Sequence, residues 1–379
     1  MMIEQAKWTK KKGWEPEPLG RLGGSAQLVL VFGSTSILKE KESFDSLKKA
    51  YPCAHLLGCS TAGEIYRTTV SDDSLVVTAI RFDSTQLKGA RVRIGDVQDS
   101  FRAGENLAQA LMAEGLVHVF ALSDGLKVNG SDLVNGLTSR LPSQVSVTGG
   151  LSGDGERFKE TLVLWDDPPQ RDTIAALGLY GDHLKVGYGS LGGWDPFGPE
   201  RLITRSQGNV LYELDGKSAL ELYKKYLGEH SKELPASGLL FPLSLRTKEG
   251  ETGVVRTILS INEEEQNMTF AGDVPQGAYA RLMKANFDRL IDGSIGAAKT
   301  SYEAVGSSCP DLAVLISCVG RKLVLKQRIE EEVEGVREVM GDQTILTGFY
   351  SYGEISPFTP GAKCELHNQT MTITTFSER

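Results

Sequence analysis

Leu312-Ala-Val-Leu-Ile-Ser-Cys318, then Val319-Gly320-Arg321, and later Thr344-Ile-Leu346 running into Gly348-Phe-Tyr-Ser-Tyr-Gly-Glu-Ile355, is the passage on which the reading of this chain turns. A short apolar run stops at a glycine turn. Between the two runs, Leu325, Ile329, Val333, Val336 and Met340 fall at spacings of 4, 4, 3 and 4, the pattern of a helix with one apolar face. Gly341-Asp342 stops that helix, and a second strand follows.

The same unit recurs upstream. Leu28-Val-Leu-Val-Phe32, Gly33-Ser-Thr-Ser36, a helical stretch around Phe44 and Leu47, and a strand ending at Leu57 lead into Gly58-Cys-Ser-Thr-Ala-Gly-Glu-Ile65. The two tails share Gly-x-x-[Ser/Thr]-x-Gly-Glu-Ile in register. A degenerate middle copy runs from His118 to Leu122, through a helix near Ser131 to Leu137, to Val145 to Gly155, where Asp154 and Gly155 replace Gly-Glu. Strand, glycine turn, helix and returning strand make the brick of α/β proteins, so mixed sheets flanked by helices and an approximate internal duplication are predicted. The polar stretch from Gly228 to Gly238 reads as a linker and puts the domain boundary near 216 to 238, so the chain is read as an N-terminal arm (1–24) and domains at 25–216 and 217–370.

Composition bounds the rest. The chain has 379 residues, 40% of them hydrophobic and 24% charged, enough for large cores. A formal net charge of −8 argues against sequence-independent nucleic-acid binding, which needs a basic face. Lys7, Lys10, Lys11 and Lys12 share their segment with Glu15, Pro16, Glu17 and Pro18, which reads as a solvated arm. The first residues lack a secretory pattern, and apolar runs such as Leu28 to Phe32 fall far short of the roughly 20 residues that span a bilayer. A cytoplasmic protein with no membrane insertion is expected. Five cysteines (Cys53, Cys59, Cys309, Cys318, Cys364) form no Cys-x-x-Cys pair and read as reduced thiols.

Two motif matches fail on context. Gly187-Tyr-Gly189-Ser-Leu-Gly192 continues into Gly-Trp-Asp-Pro, which offers no helix N-terminus to a pyrophosphate. Gly216-Lys217-Ser218 has Leu211 where a phosphate loop needs its first glycine. The candidate ligand site is therefore built from the repeated tails. Glu64 and Glu354, each after a glycine (Gly63, Gly353), could bind an ammonium group or tie down a loop through backbone N–H groups. Their neighbours Ser60, Thr61, Ser351 and Tyr352 supply hydroxyls. Gly320 and Arg321 suggest an anion pocket at a strand-to-helix turn, or else an Arg paired with an acid of its own helix such as Glu330. Cys59 and Cys318 are either ligand-site thiols, with an enzyme's nucleophile as the catalytic alternative, or small buried hydrophobes.

These residues, with Gly193-Trp194-Asp-Pro-Phe-Gly-Pro199, the run Gly208 to Tyr223, and Leu366-His-Asn-Gln-Thr370, resemble FIST sensory proteins, in which FIST N and FIST C domains stand in tandem. The resemblance spans about residues 25 to 370. It implies a ligand-binding module of signal transduction for a small polar or anionic metabolite such as an amino acid. Its output would act in trans on a signalling protein, a histidine kinase or a cyclic-di-GMP enzyme. One branch of the family resembles haem-based nitric-oxide sensors. By that route His367, in a family motif position, is the first candidate axial ligand among five histidines.

Overall fold

The computed structural model describes residues 1–247, 253–306, 309–358 and 361–378. Three six-stranded mixed sheets carry the repeated unit, and a fourth, nine-stranded sheet forms a separate lobe.

Each unit places its first strand at the centre, because a run buried on both faces can be apolar throughout. In unit I this is Leu28–Gly33, every residue buried, lying parallel to His55–Ser60 and antiparallel to Ser74–Arg81. Unit II repeats the order with Leu116–Ser123, Ser146–Leu151 and Thr173–Tyr180. Unit III does so with Leu312–Cys318, Ile345–Ser351 and Met371–Glu378. An outer antiparallel strand completes each: Met2–Thr9, Gln86–Arg93 and Leu184–Leu191. The first motif glycine lets the second strand press on the first. A Cβ at Gly58, Gly149 or Gly348 would come within 2.1, 1.8 and 1.8 Å of the backbone oxygens of Val31, Ala121 and Leu315.

The residues after each second strand leave their own sheet and pair with another. The unit I hairpin Glu64–Tyr66 and Thr69–Ser71 extends the unit III sheet, and the unit III hairpin Gly353–Pro357 and Cys364–His367 extends that of unit II. Val163–Trp165, from unit II, closes the circle on unit I. The inner faces then share one core containing Leu30, Phe32, Phe120, Leu177, Val314, Phe349 and Phe376, with the Phe32 and Phe349 rings 4.7 Å apart. Helices cover the outer faces.

The lobe, Trp194–Pro196 through Tyr279–Ala285, is inserted in unit III between its outer strand and the helix Phe287–Ala304. It has its own core around Leu211, Leu220, Tyr223, Met268 and Phe270.

Three expectations change. The residues read as a solvated arm form Met2–Thr9, hydrogen-bonded along Ser74–Arg81, and buried Glu4 accepts the N–H groups of Gly20, Arg21 and Leu22 at 3.1, 3.0 and 2.8 Å. The stretch read as a linker lies inside the lobe as the 3₁₀ turns Gly228–Glu233 and Ala236–Leu240, with Ser237, Gly238 and Leu239 buried. The single helix of unit III is two, Val319–Leu325 and Ile329–Met340, since Lys326 takes a positive φ of 49° between them; its apolar positions still face inward. Periodicity reports the buried face and not backbone continuity.

Candidate functional site

The Gly-Glu turns are equivalent clasps. Glu64 accepts the Thr61 hydroxyl at 2.5 Å on one oxygen, and the backbone N–H and hydroxyl of Ser74 at 3.1 and 2.7 Å on the other. Glu354 accepts the Ser351 hydroxyl at 2.5 Å, and the N–H and hydroxyl of Thr370 at 3.2 and 3.0 Å. Ser74 and Thr370 stand at the entry to the third strand of their units, so each carboxyl ties its turn to that strand. Burial pushes the Glu64 carboxyl up to about 7 and that of Glu354 to about 8, against the opposing pull of these hydrogen bonds.

Arg321 is fully buried. Its Nε and Nη2 donate to Glu332 Oε2 at 3.1 and 2.7 Å, and Nη1 and Nη2 to the carbonyls of Gly192 and Leu290 at 2.8 and 2.6 Å. Glu332 accepts Ser317 and Tyr350 on its other oxygen at 3.1 and 2.7 Å. The expected anion pocket at this turn is therefore corrected. The guanidinium pairs with an acid of the following helix, Glu332 in place of Glu330, because only an inward-facing acid can compensate a desolvated charge. Gly320 faces the Gln369 carboxamide, 2.4 Å from where a Cβ would stand.

The remaining predicted residues hold the tails together. Ser60 bridges the Gly153 carbonyl and the Leu162 N–H at 2.8 and 2.9 Å. The Tyr352 hydroxyl binds Asp154 and the Gly155 carbonyl, while its ring stacks on Phe158 with centroids 4.4 Å apart. Gly353 pairs with Leu151. Cys59 lies in the common core and Cys318 caps a helix; both are buried, and burial pushes both thiols up, away from the thiolate a nucleophile needs. Of the predicted set, Thr61, Gly63 and Glu64 border a cleft of about 350 Å³, beside Ser34, Asp72 and Lys322.

A larger cleft, about 490 Å³, lies elsewhere. It is walled by the unit II helix Gly130–Arg140, by Lys363 to Leu366 of the unit III hairpin, and by Leu245, Val254, Arg256 and Asp273 of the lobe. Arg256 crosses between the two bodies. Its Nε donates to the Asp273 carbonyl at 3.1 Å, and its Nη1 to the carbonyls of Val255 and Leu366 at 3.3 and 2.9 Å. Nη2 makes no hydrogen bond among the described residues. Burial pulls this guanidinium down to about 10, so it stays cationic at neutral pH.

Sequence reasoning passed over these residues. The available signal was an Arg inside the β-branched run Val254-Val-Arg-Thr-Ile258, a charge where a half-buried strand wants none.

The run Leu366 to Thr370 latches the lobe to unit III. Asn368 accepts the Thr257 N–H at 3.4 Å, Gln369 Nε2 donates to Leu239 O and Thr257 Oγ1 at 3.1 and 3.0 Å, and Trp194 Nε1 donates to Gln369 O at 2.9 Å. His367 between them donates from Nε2 to the Ser356 carbonyl at 2.7 Å and packs edge-on against Phe358. Its Nδ1 is buried without a partner, but His367 is in the wall of neither cleft, and burial lowers its pKa to about 4. These surroundings leave no room for a macrocycle over the ring, so the haem expectation does not fit.

Three α/β units that exchange their tails, and an inserted lobe that closes a charged cleft against them, define a two-body α/β protein with a cavity of ligand size. The chain belongs to the FIST family, a family of sensor domains: the FIST N domain matches residues 27–217 and the FIST C domain residues 219–357. The seam between the two matches falls within the lobe. An uncharacterized protein of Methanocaldococcus jannaschii is 24% identical over 350 residues, covering 84% of this chain. The chain spans only 65% of that relative's length. Among solved structures, a chorismatase aligns at 9% identity with a TM-score of 0.35, over 99% of this chain and 98% of its own. A cyanuric acid hydrolase from A. caulinodans aligns at 8% with 0.38, over 94% and 90%. Among the described residues, no helix is long and apolar enough to cross a membrane.

Proposed function

We propose that this chain is a ligand-binding sensor module of signal transduction, and that a small polar or anionic metabolite, amino acids included, occupies the larger cleft. The observation that carries the reading is Arg256: a buried guanidinium held in place by three carbonyls, lining a cavity of about 490 Å³, with one nitrogen that makes no hydrogen bond among the described residues. The cleft has walls from both bodies, so a ligand that touches both favours one setting of the lobe over another, which is what a partner in trans can read. A histidine kinase or a cyclic-di-GMP enzyme is the class of partner proposed. Thr61, Gly63 and Glu64 are candidate contacts for the smaller cleft alone.

A thermal-shift screen of metabolite anions tests the reading. A ligand that binds only the folded state stabilises by about 2.7 kcal/mol at a hundredfold excess over Kd. The shift should vanish in Lys363→Glu, which changes the exposed rim and not the core, and persist in Lys322→Ala at the smaller cleft. A shift abolished by the second change and kept in the first would move the site to the smaller cleft.

A further inference from the structure

Resting on the reading that the larger cleft is the ligand site, we infer that it takes a monocarboxylate with an apolar body about the size of one ring, the carboxylate on Arg256 Nη2 and the body against Leu245, Val254, Ala278 and Phe358.

The charges around Arg256 limit the ligand to a single anionic group. Asp273 and Glu365 both border the cleft and both act electrostatically on the guanidinium. Asp273 is fixed there, since Asn129 Nδ2 donates to its carboxylate at 3.0 Å and its own N–H bonds to Ser131 Oγ at 3.3 Å. A dianion would satisfy Arg256 with one charge and meet these two acids with the other. Of the cleft's other cations, Arg246 forms a two-pronged pair with Glu200, both contacts at 2.6 Å, and Lys363 sits at the exposed rim, donating to the neutral Asn135 Oδ1 at 3.2 Å.

The wall also carries an apolar patch, set beside the polar Ser131, Asn135 and Thr247. Leu245 and Val254 are neighbours on paired strands of the lobe, Ala278 lies beside them, and Phe358 closes the cleft from the unit III hairpin. Such a patch returns free energy for apolar area removed from water. A cavity of about 490 Å³ accommodates an aromatic or branched acid with space for a few waters.

Titration calorimetry of the full chain with phenylacetate, malonate and phenylalanine at matched ionic strength tests the inference. Phenylacetate should bind at least about tenfold more tightly than malonate. Val254→Asp, on a half-exposed edge strand where folding is spared, should weaken phenylacetate by at least about tenfold through repulsion and a wetter wall. Arg256→Lys should weaken it by a similar factor, because a shorter ammonium cannot keep the three carbonyls and also reach the ligand. Malonate binding as tightly as phenylacetate, or phenylalanine binding more tightly, overturns the apolar monocarboxylate while leaving the cleft as the site. Binding of none of the three overturns the inference, while a metabolite whose thermal shift is abolished by Lys363→Glu keeps the cleft as the site; phenylacetate bound equally by the Val254→Asp variant places it outside this cleft and overturns the inference.

Discussion

The hairpins that follow the two Gly-Glu turns start from the same local structure and meet opposite fates. In unit I the chain passes from Thr69–Ser71 through Asp72 and Asp73 straight into Ser74, and the turn stays at the surface beside a small open cleft. In unit III the matching turn, Asn368 and Gln369 before Thr370, is covered by the inserted lobe and bonded to it through Thr257, Leu239 and Trp194. The clasp around the carboxylate is unchanged, down to the same pair of donors from the third strand. A repeated motif encodes the turn, and an insertion elsewhere decides whether that turn carries a load.

The sharpest break of this comparison is at Arg321, whose counterpart at the same place after the first strand of unit I is Ile37. Arg321→Ala leaves Glu332 charged and buried without its partner, and should cost about 3–5 kcal/mol in chemical denaturation. A loss below about 1 kcal/mol would mean that the pair is not desolvated, and that the two units are held in the same way after all.

The two clasps should then separate by pH. A carboxyl raised above its unfolded value is protonated in the folded state while the unfolded chain already ionises, so its contribution favours folding at low pH and is lost as pH rises through the folded pKa. For Glu64 that loss ends near pH 7 and for Glu354 near pH 8. His118 and His367, held by burial at about 3 and about 4, act below pH 6.5 and do not interfere above it. Between pH 6.5 and 8.5 the protein should lose stability on the order of 2 kcal/mol through Glu354 and under about 1 through Glu64. Glu354→Gln should therefore flatten the melting temperature over this range more than Glu64→Gln does. Equal flattening by both would mean that the two carboxyls are equally desolvated.

The smallest effect concerns the latch. Gln369→Ala removes two hydrogen bonds from the lobe and should cost about 1–2 kcal/mol, with faster amide exchange confined to the strands Val254–Arg256 and Ile258–Asn262 on either side of Thr257 and to the 3₁₀ turn at Leu239. Asp73→Ala, at the uncovered turn of unit I, should leave exchange in the lobe unchanged. Exchange that rises throughout the chain in the Gln369 variant would make the latch part of the common core.

The parts of this fold legible in the sequence were those that repeat. Three apolar runs, each followed by a glycine turn, a helix and a second strand, revealed the mixed sheets and the copy number, because a strand buried on both faces must be apolar along its length. The equivalence of Glu64 and Glu354 was legible for the same reason. Met2–Thr9 was not, since its partner lies some seventy residues on and its own composition is that of any polar segment. Arg321 misled because a cation at a helix start reads the same whether it meets solvent or a buried Glu332. Arg256 was passed over because it gains its meaning from the Leu366 carbonyl, more than a hundred residues away.

What the amino-acid order determines by itself is thus local: which runs are strands, where glycine must let one strand press on the next, and which carboxylates sit in tight turns. Only the tertiary structure decides that each unit lends its tail to another's sheet, that the lobe seals one turn and leaves its twin open, and that a ligand-sized cleft forms around Arg256. The physical reason is that desolvation and electrostatics depend on every group within a few ångströms, whatever its distance along the chain, whereas a sequence pattern reports only on neighbours in order.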